Sequence, residues 1–159
     1  MLIATGLGTG YFPVSGTVAS VLAVLLYLPF AGLNTTQNGY IFLYGALLMF
    51  LLALAIWSSG LASVWLGEKD PHKVVIDEIA GYFFAMTLLP TNIPFVIAAF
   101  FLFRFFDVVK PPPIKQSQDL PGGVGVTIDD ILAGIATCIL LHLAHYFIMG
   151  TWSPALISA

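Results

Sequence analysis

Sixty-seven residues pass before the chain carries a charged side chain, and all of its 5 Lys+Arg and 8 Asp+Glu lie between Glu68 and Asp130. A stretch that long without charge cannot present a surface to water. Ordinary soluble domains carry about 25% charged residues, whereas this chain carries 8%, with 59% hydrophobic residues and a mean hydropathy of +0.99. These figures exclude a soluble globular domain, a disordered chain and a nucleic-acid binder, which needs a basic patch. The expected class is an integral membrane protein of one domain, residues 1–159.

Apolar runs of about 20 residues cross a bilayer core of ~30 Å. The sequence divides into five such candidates, at about Gly16 to Leu33, Tyr40 to Leu66, Val74 to Leu89, Phe95 to Val109 and Thr127 to Met149. The expectation is an all-α, polytopic helical membrane protein with about five membrane helices, the third and fourth either spanning or forming one re-entrant hairpin, which leaves the lysine loops on one side. The uncharged loops 34–39 and 90–94 fall on one face; the glycine-rich start and the loops 67–73 and 110–126 fall on the other. All four lysines sit on that second face, and the positive-inside rule puts it in the cytoplasm. The start, Met1-Leu-Ile-Ala-Thr-Gly, has no basic region ahead of its first apolar run, so insertion is expected to rely on the helices themselves. One cysteine, Cys138, excludes an internal disulfide framework and a multi-cysteine metal site.

The charge is concentrated as well as sparse. Asp77, Glu78, Arg104, Asp107, Asp129 and Asp130 lie within or at the ends of apolar helices, where charge costs at least ~2.5–3.5 kcal/mol and is rarely idle. The five-helix topology brings all six within a turn or two of the cytoplasmic face. Five carboxylates crowded around one arginine and a lysine would repel each other, and a divalent cation relieves that repulsion. Hard oxygen donors select Mg²⁺ or Mn²⁺ over zinc. Arg104, Asp107 and Lys110 are spaced i,i+3 and share a helix face. A metal-binding carboxylate flanked by two basic residues suits a phosphate ester bridging metal and cation.

Plainer readings stand beside these. Thr127-Ile-Asp-Asp130 matches a capping box, leaving Asp130 an N-terminal cap and Asp129 a partner of the helix dipole. Asp77-Glu78 falls in a first turn, where acids are favoured, and Arg104–Asp107 could be an ion pair only. Capping accounts for each pair, not for their convergence. Asp70-Pro-His72 reads as a helix start. The glycine-rich segment Thr5 to Thr17 is either a flexible lead into a helix capped by Ser15 or an anion cradle of backbone amides. Gly122-Gly-Val-Gly125 reads as a turn that lets backbone approach a ligand or another helix. His142 and His145 lie too far along the last helix to join the acids, and Cys138 reads as buried there with no basic neighbour. Trp65, Tyr40 and Trp152 read as interfacial aromatics.

The chain resembles the phosphatidylglycerophosphatase A family of bacterial membrane lipid phosphatases. The matching pieces are Gly6-x-Gly8 with Pro13 and Gly16-Thr17, then Val75-Ile-Asp-Glu-Ile-x-Gly81. They continue with Phe103-Arg-Phe-Phe-Asp-Val-Val-Lys-Pro-Pro-Pro-Ile114 and Gly122-Gly-x-Gly-x-x-x-Asp-Asp-Ile-x-Ala-Gly134. Serine stands at position 15 where the family usually has proline, and Asp119 loosely represents an acid that often follows the P-x-P. The resemblance implies Mg²⁺-dependent hydrolysis of phosphatidylglycerophosphate to phosphatidylglycerol and inorganic phosphate, at the cytoplasmic face of the bacterial inner membrane. Asp77, Glu78, Asp107, Asp129 and Asp130 would be the catalytic and metal-binding acids. Arg104 and Lys110 would hold the substrate phosphate, helped by Gly6, Gly8, Thr17, Gly122 and Gly123. Water attack and an aspartyl-phosphate intermediate stay open. Two rival readings are a lipid-headgroup phosphotransferase, whose long D-x-x-D-G-x-x-A-R motif is missing, and a non-enzymatic ion-coupled carrier. Nothing in the sequence points to an obligate protein partner.

Overall fold

The computed structural model describes residues 1, 3–6, 8–12, 15–34, 39–68 and 73–149; Pro13, Lys69, the Asp70-Pro-His72 segment and Trp152 lie outside them. The described residues form helices and connecting turns with no strand. Helix α1 (Ser15–Tyr27) runs on into a 3-10 stretch, Leu28–Leu33, and α2 (Tyr40–Leu66) follows. Helices α3 (Ile76–Ala85), α4 (Ile93–Val109), the single turn α5 (Ile114–Ser117) and α6 (Gly122–Met149) complete the order.

Each boundary has a local cause. Gly67, in the left-handed region at φ 69°, closes α2 by donating its N–H to Ser63 O at 2.9 Å. Asn92 caps α4 by accepting from Phe95 N at 3.2 Å, with Pro94 in the first turn where its missing N–H is harmless. The prolines after Lys110 end α4, as expected.

Among the described residues, three segments are long and apolar enough to cross a membrane: Ser15–Leu33, Tyr40–Leu66 and Gly122–Ile148. Their outer faces expose Phe42, Phe50, Trp57, Val64, Phe147 and Ile148, side chains that lipid tails would cover. The expected five crossings are not reached on length. Helix α3, at 10 residues, spans only about 15 Å, and α4, at 17 residues, about 26 Å.

Two expected boundaries need correction. The third helix was placed out to Leu89 but stops at Ala85, where Met86–Leu88 turn away and Leu88 adopts φ 55°. The cause is Asn34, buried at the end of the 3-10 stretch. Its Nδ2, with two hydrogens to share, lies 2.6 Å from Met86 O, 2.9 Å from Tyr27 Oη and 3.3 Å from Leu89 O, and its Oδ1 accepts from Leu88 N at 2.6 Å. One amide thus satisfies the backbone groups that the broken helix leaves. Asn34→Ala strands buried donors and acceptors that each cost about 1–3 kcal/mol unpaired, so a clear fall in the Tm of the detergent-solubilised protein is expected. An unchanged Tm would mean that water takes over the amide's partners.

The last helix was placed from Thr127 but begins five residues earlier, so Gly122–Gly125 is its first turn and not a free turn. Close packing is the reason: a Cβ on Gly123 would lie 2.0 Å from Ile56 O and 2.6 Å from Gly60 N of α2. Helices α3 and α6 approach as closely, since a Cβ on Gly134 would lie 2.2 Å from Gly81 O. Small residues at such crossings let helix backbones touch where lipid gives no hydrophobic drive. The interior is completed by Tyr27, Tyr44, Tyr82, Phe83 and Phe103, packed edge to face in pairs such as Tyr27–Phe83, 5.5 Å between centroids. Their hydroxyls are partnered, Tyr44 donating to Phe83 O at 2.7 Å and Tyr82 to Val96 O at 3.1 Å.

Candidate active site

The first turns of α1 and α3, the last turn of α4 and the first turns of α6 meet at one end of the bundle, and the charged side chains are there. The start of α3 is held by the amino-terminal segment, whose Ala4 carbonyl accepts from Val75 N at 2.8 Å and Ile76 N at 3.3 Å. That docking turns Asp77 and Glu78 inward. Asp77, Asp107, Asp129 and Asp130 are all at most 9% exposed, a burial that carboxylates tolerate only when paired.

Asp107 is the centre of the pairing. One of its carboxylate oxygens takes the Arg104 guanidinium in a close ion pair, and the other lies 3.5 Å from Lys110 Nζ. Arg104 also reaches Glu78 Oε2 at 3.4 Å, and Lys110 is in close contact with Asp129 Oδ2. The i,i+3 spacing therefore did predict a shared face. Lys110 lies beyond the end of α4 at φ 45°, a left-handed conformation costing about 1–2 kcal/mol for an L-residue. Its two carboxylate partners offset that cost and turn the ammonium back toward the bundle. Burial works against that charge, but Asp130, Asp129 and Asp107 outweigh it and hold the lysine above its ordinary range. Burial pushes the Glu78 carboxyl up to about 7, with Arg104 pulling the other way.

Asp129 and Asp130 are the eighth and ninth residues of α6, about 10 Å beyond its first residue. This overturns the capping-box reading, because neither sits at a helix start. Asp130 instead lies where Asp107, Asp77, Asp129 and Glu78 all act on its charge. All five predicted acids and both predicted bases are thus brought together.

The predicted glycines divide. Gly6 is packed against Val75 and Thr9, Gly8 and Gly122 face open space, and Thr17 is exposed on the first turn of α1. Gly123 serves the α2–α6 crossing. The glycine that does lie against the cluster is Gly16, which was not among the expected phosphate-binding residues: a Cβ there would lie 2.7 Å from Arg104 Nη2 and 2.8 Å from Glu78 Oε1.

Two polar residues at the site escaped the sequence reading. Ser20, one turn after Gly16, donates to Gly16 O at 2.9 Å and lies 3.4 Å from Glu78 Oε2. Gln118 donates from Nε2 to Asp129 Oδ2 at 2.9 Å, sharing that oxygen with Lys110. The residues set aside on α6 are accounted for at the other end. Cys138, half-buried, donates to Thr87 O at 3.3 Å; His142 Nε2 is 3.0 Å from the same oxygen, and His145 packs edge-on to Phe95. Trp65 and Tyr40 are exposed near helix ends.

Helices and turns throughout the described residues, three of the helices of membrane-crossing length, with five carboxylates and two cations gathered at one end, define the class. The model of the family "PgpA: Phosphatidylglycerophosphatase A" matches residues 2–145, and the chain belongs to that family. It is accordingly an enzyme, a phosphoric monoester hydrolase. A Haemophilus influenzae protein named phosphatidylglycerophosphatase A is 34% identical, covering 93% of this chain and 90% of its own length. An Escherichia coli protein of the same name is 33% identical, over 96% and 87%. A Bacteroides thetaiotaomicron protein named "Putative phosphatidylinositol-3-phosphatase" is 38% identical, over 93% and 94%. No solved structure matches. Family membership sets aside both the phosphotransferase and the carrier readings.

Proposed function

We propose that the chain hydrolyses the terminal phosphomonoester of phosphatidylglycerophosphate, releasing phosphatidylglycerol and inorganic phosphate, with Mg²⁺ as its cofactor. The observation that carries the reading is the Arg104–Asp107–Lys110 face set among four further carboxylates. Cations so placed can take phosphate oxygens away from Asp107, while the acids stay close enough for proton transfer. The two relatives named phosphatidylglycerophosphatase A support the substrate. Lys73, Lys110 and Lys115 lie at the site end of the chain's topology, which supports a cytoplasmic face in the bacterial inner membrane.

The donor set fits Mg²⁺ in chemistry and charge. Five carboxylates against two cations leave a surplus of three negative charges, and hard oxygens suit a small divalent cation. The cage is not preformed: among the described residues no three acidic, histidine or cysteine side chains converge on one point. Asp77, Glu78, Asp107, Asp129 and Asp130 would hold the metal. When bound, Mg²⁺ supplies neutralisation of the phosphate's charge and polarisation of an oxygen on the attacking or leaving side.

The chain's own residues do the rest. Arg104 and Lys110 bind the phosphate oxygens and stabilise the charge that develops on them. Glu78, which Ser20 and Arg104 both approach at Oε2, is the carboxylate placed to act as proton acceptor beside the phosphate. The apolar outer helix faces keep the acyl chains in lipid, so only the headgroup enters the polar end. Attack by a carboxylate passes through an aspartyl phosphate that water then cleaves at phosphorus, whereas direct attack by water does not, so trapping the acyl phosphate with hydroxylamine tells the two apart.

The Bacteroides relative's name favours a second reading, a phosphomonoester on an inositol headgroup. Phosphate release in mixed micelles from phosphatidylglycerophosphate and from phosphatidylinositol 3-phosphate, with and without EDTA, tests both. EDTA-sensitive release, faster from phosphatidylglycerophosphate, is expected. No release from that lipid would overturn the proposed substrate, and release unaffected by EDTA would overturn the metal.

A further inference from the structure

Beside the acid–base cluster, between the turn that follows α4 and the start of α6, lies a cleft of about 430 Å³ that the chemistry above does not use. Its lining includes Lys115, Gln116, Gln118, Asp119, Leu120 and Gly122. Gln118 is the dividing wall, since it lines the cleft and its amide donates to Asp129 Oδ2 within the cluster. A ligand in the cleft therefore touches the residue that touches the site. Lys115, exposed on the cleft, brings a cation to it. Gly122 leaves its side open, with nothing within 4 Å of where a Cβ would stand. The volume lies within the usual range for small-ligand pockets, about 300–1,000 Å³.

A lipid whose phosphomonoester lies between Arg104 and Lys110 must place the rest of its headgroup somewhere outside the cluster. We propose that this cleft is the subsite for that remainder, a polyol joined to the lipid by a phosphodiester, with Lys115 on the diester phosphate and the Gln116 and Gln118 amides toward the polyol's free hydroxyl. The proposal rests on the substrate reading above and adds to it a residue that sets specificity. Lys115 makes the enzyme prefer lipids carrying a second, inner phosphate. It lies away from the reacting phosphorus and acts through binding alone. Leu120, exposed on the same cleft, gives the diester an apolar flank toward the lipid.

The test is steady-state kinetics of Lys115→Met and Lys115→Arg on phosphatidylglycerophosphate in mixed micelles, with product inhibition by phosphatidylglycerol and by inorganic phosphate. Phosphatidylglycerol keeps the diester and polyol, whereas inorganic phosphate fits only the monoester site. Lys115→Met is expected to raise KM by about tenfold, in keeping with loss of one charge-assisted contact, and to weaken phosphatidylglycerol inhibition by a similar factor. Inhibition by inorganic phosphate should hold, and Lys115→Arg should restore KM. An unchanged KM in Lys115→Met overturns the subsite, as does a parallel weakening of both inhibitors. Wild-type protein that releases no phosphate from this lipid is a different outcome, which removes the substrate reading itself.

Discussion

Asp107→Asn is expected to lower kcat by about 10²–10³-fold, the scale on which single transition-state electrostatic groups act, with the fold retained. Asparagine fills the same volume on the same face of α4, so packing around Phe103 and Phe106 is preserved. The charge is not. Asp107 is the carboxylate that Arg104 and Lys110 both grip, and it sets the positions from which those cations meet a phosphate. An amide offers one acceptor and places two donors against cations that have nothing to accept with. Arg104 then leans on Glu78 and Lys110 on Asp129, the partners they already have, and the gap between them no longer matches a tetrahedral anion. A fall in kcat with a near-constant KM is the expected pattern, because the loss falls on charge that develops in the transition state. Glu68→Gln, an exposed acid outside the cluster, is the matched control and should lie within twofold of wild type. The measurement is phosphate release at equal amounts of detergent-folded protein. Activity of Asp107→Asn within threefold of wild type would take Asp107 out of the chemistry.

What made that residue legible in the sequence was spacing. Arg104 and Asp107 share a face of α4, and Lys110, three residues further and just past the helix end, is turned back to the same carboxylate. The acids at 77–78 and 129–130 were legible for a different reason: charge in apolar surroundings is too costly to be incidental. The long apolar runs likewise announced α2 and most of α1. The start of α6 did not show, because Gly122-Gly-Val-Gly125 has the composition of a turn and glycine costs a helix about 1 kcal/mol per residue relative to alanine. Tertiary packing reverses that preference. Gly123 is helical because the α2 backbone passes where a side chain would be, and no pattern within α6 encodes its neighbour. Ser20 and Gln118 were hidden similarly. Each reaches an acid, 58 and 11 residues away in sequence, across a contact that exists only once the helices are placed. Asn34, in an uncharged stretch, gave no signal that it would end α3 from 52 residues away.

The same dependence on a neighbour's backbone makes Gly134→Val the substitution expected to do most damage to the fold. A Cβ at 134 would lie 2.2 Å from Gly81 O, 3.0 Å from Gly81 C and 3.2 Å from Ala85 N. Those atoms are backbone of α3, which no rotamer change can move aside. Extra methyl groups in a well-packed interior cost about 1–3 kcal/mol, occasionally more, and here the helices themselves must separate. The loss is therefore expected at or above the top of that range. Separation also pulls Asp77 and Glu78 on α3 away from Asp129 and Asp130 on α6, since the crossing and the acid cluster share both helices. A Cβ on Gly81 meets Asp130 O at 2.6 Å, so the contact extends to an acid of the site itself. Gly45→Val is the comparison, because nothing lies within 4 Å of a Cβ at that position on α2. Gly134→Val should lose a large part of its Tm in detergent and its phosphatase activity with it, while Gly45→Val retains both. Equal stability of the two variants would show that α3 and α6 are held apart by more than one glycine's width, and that the acids of the site meet without this crossing.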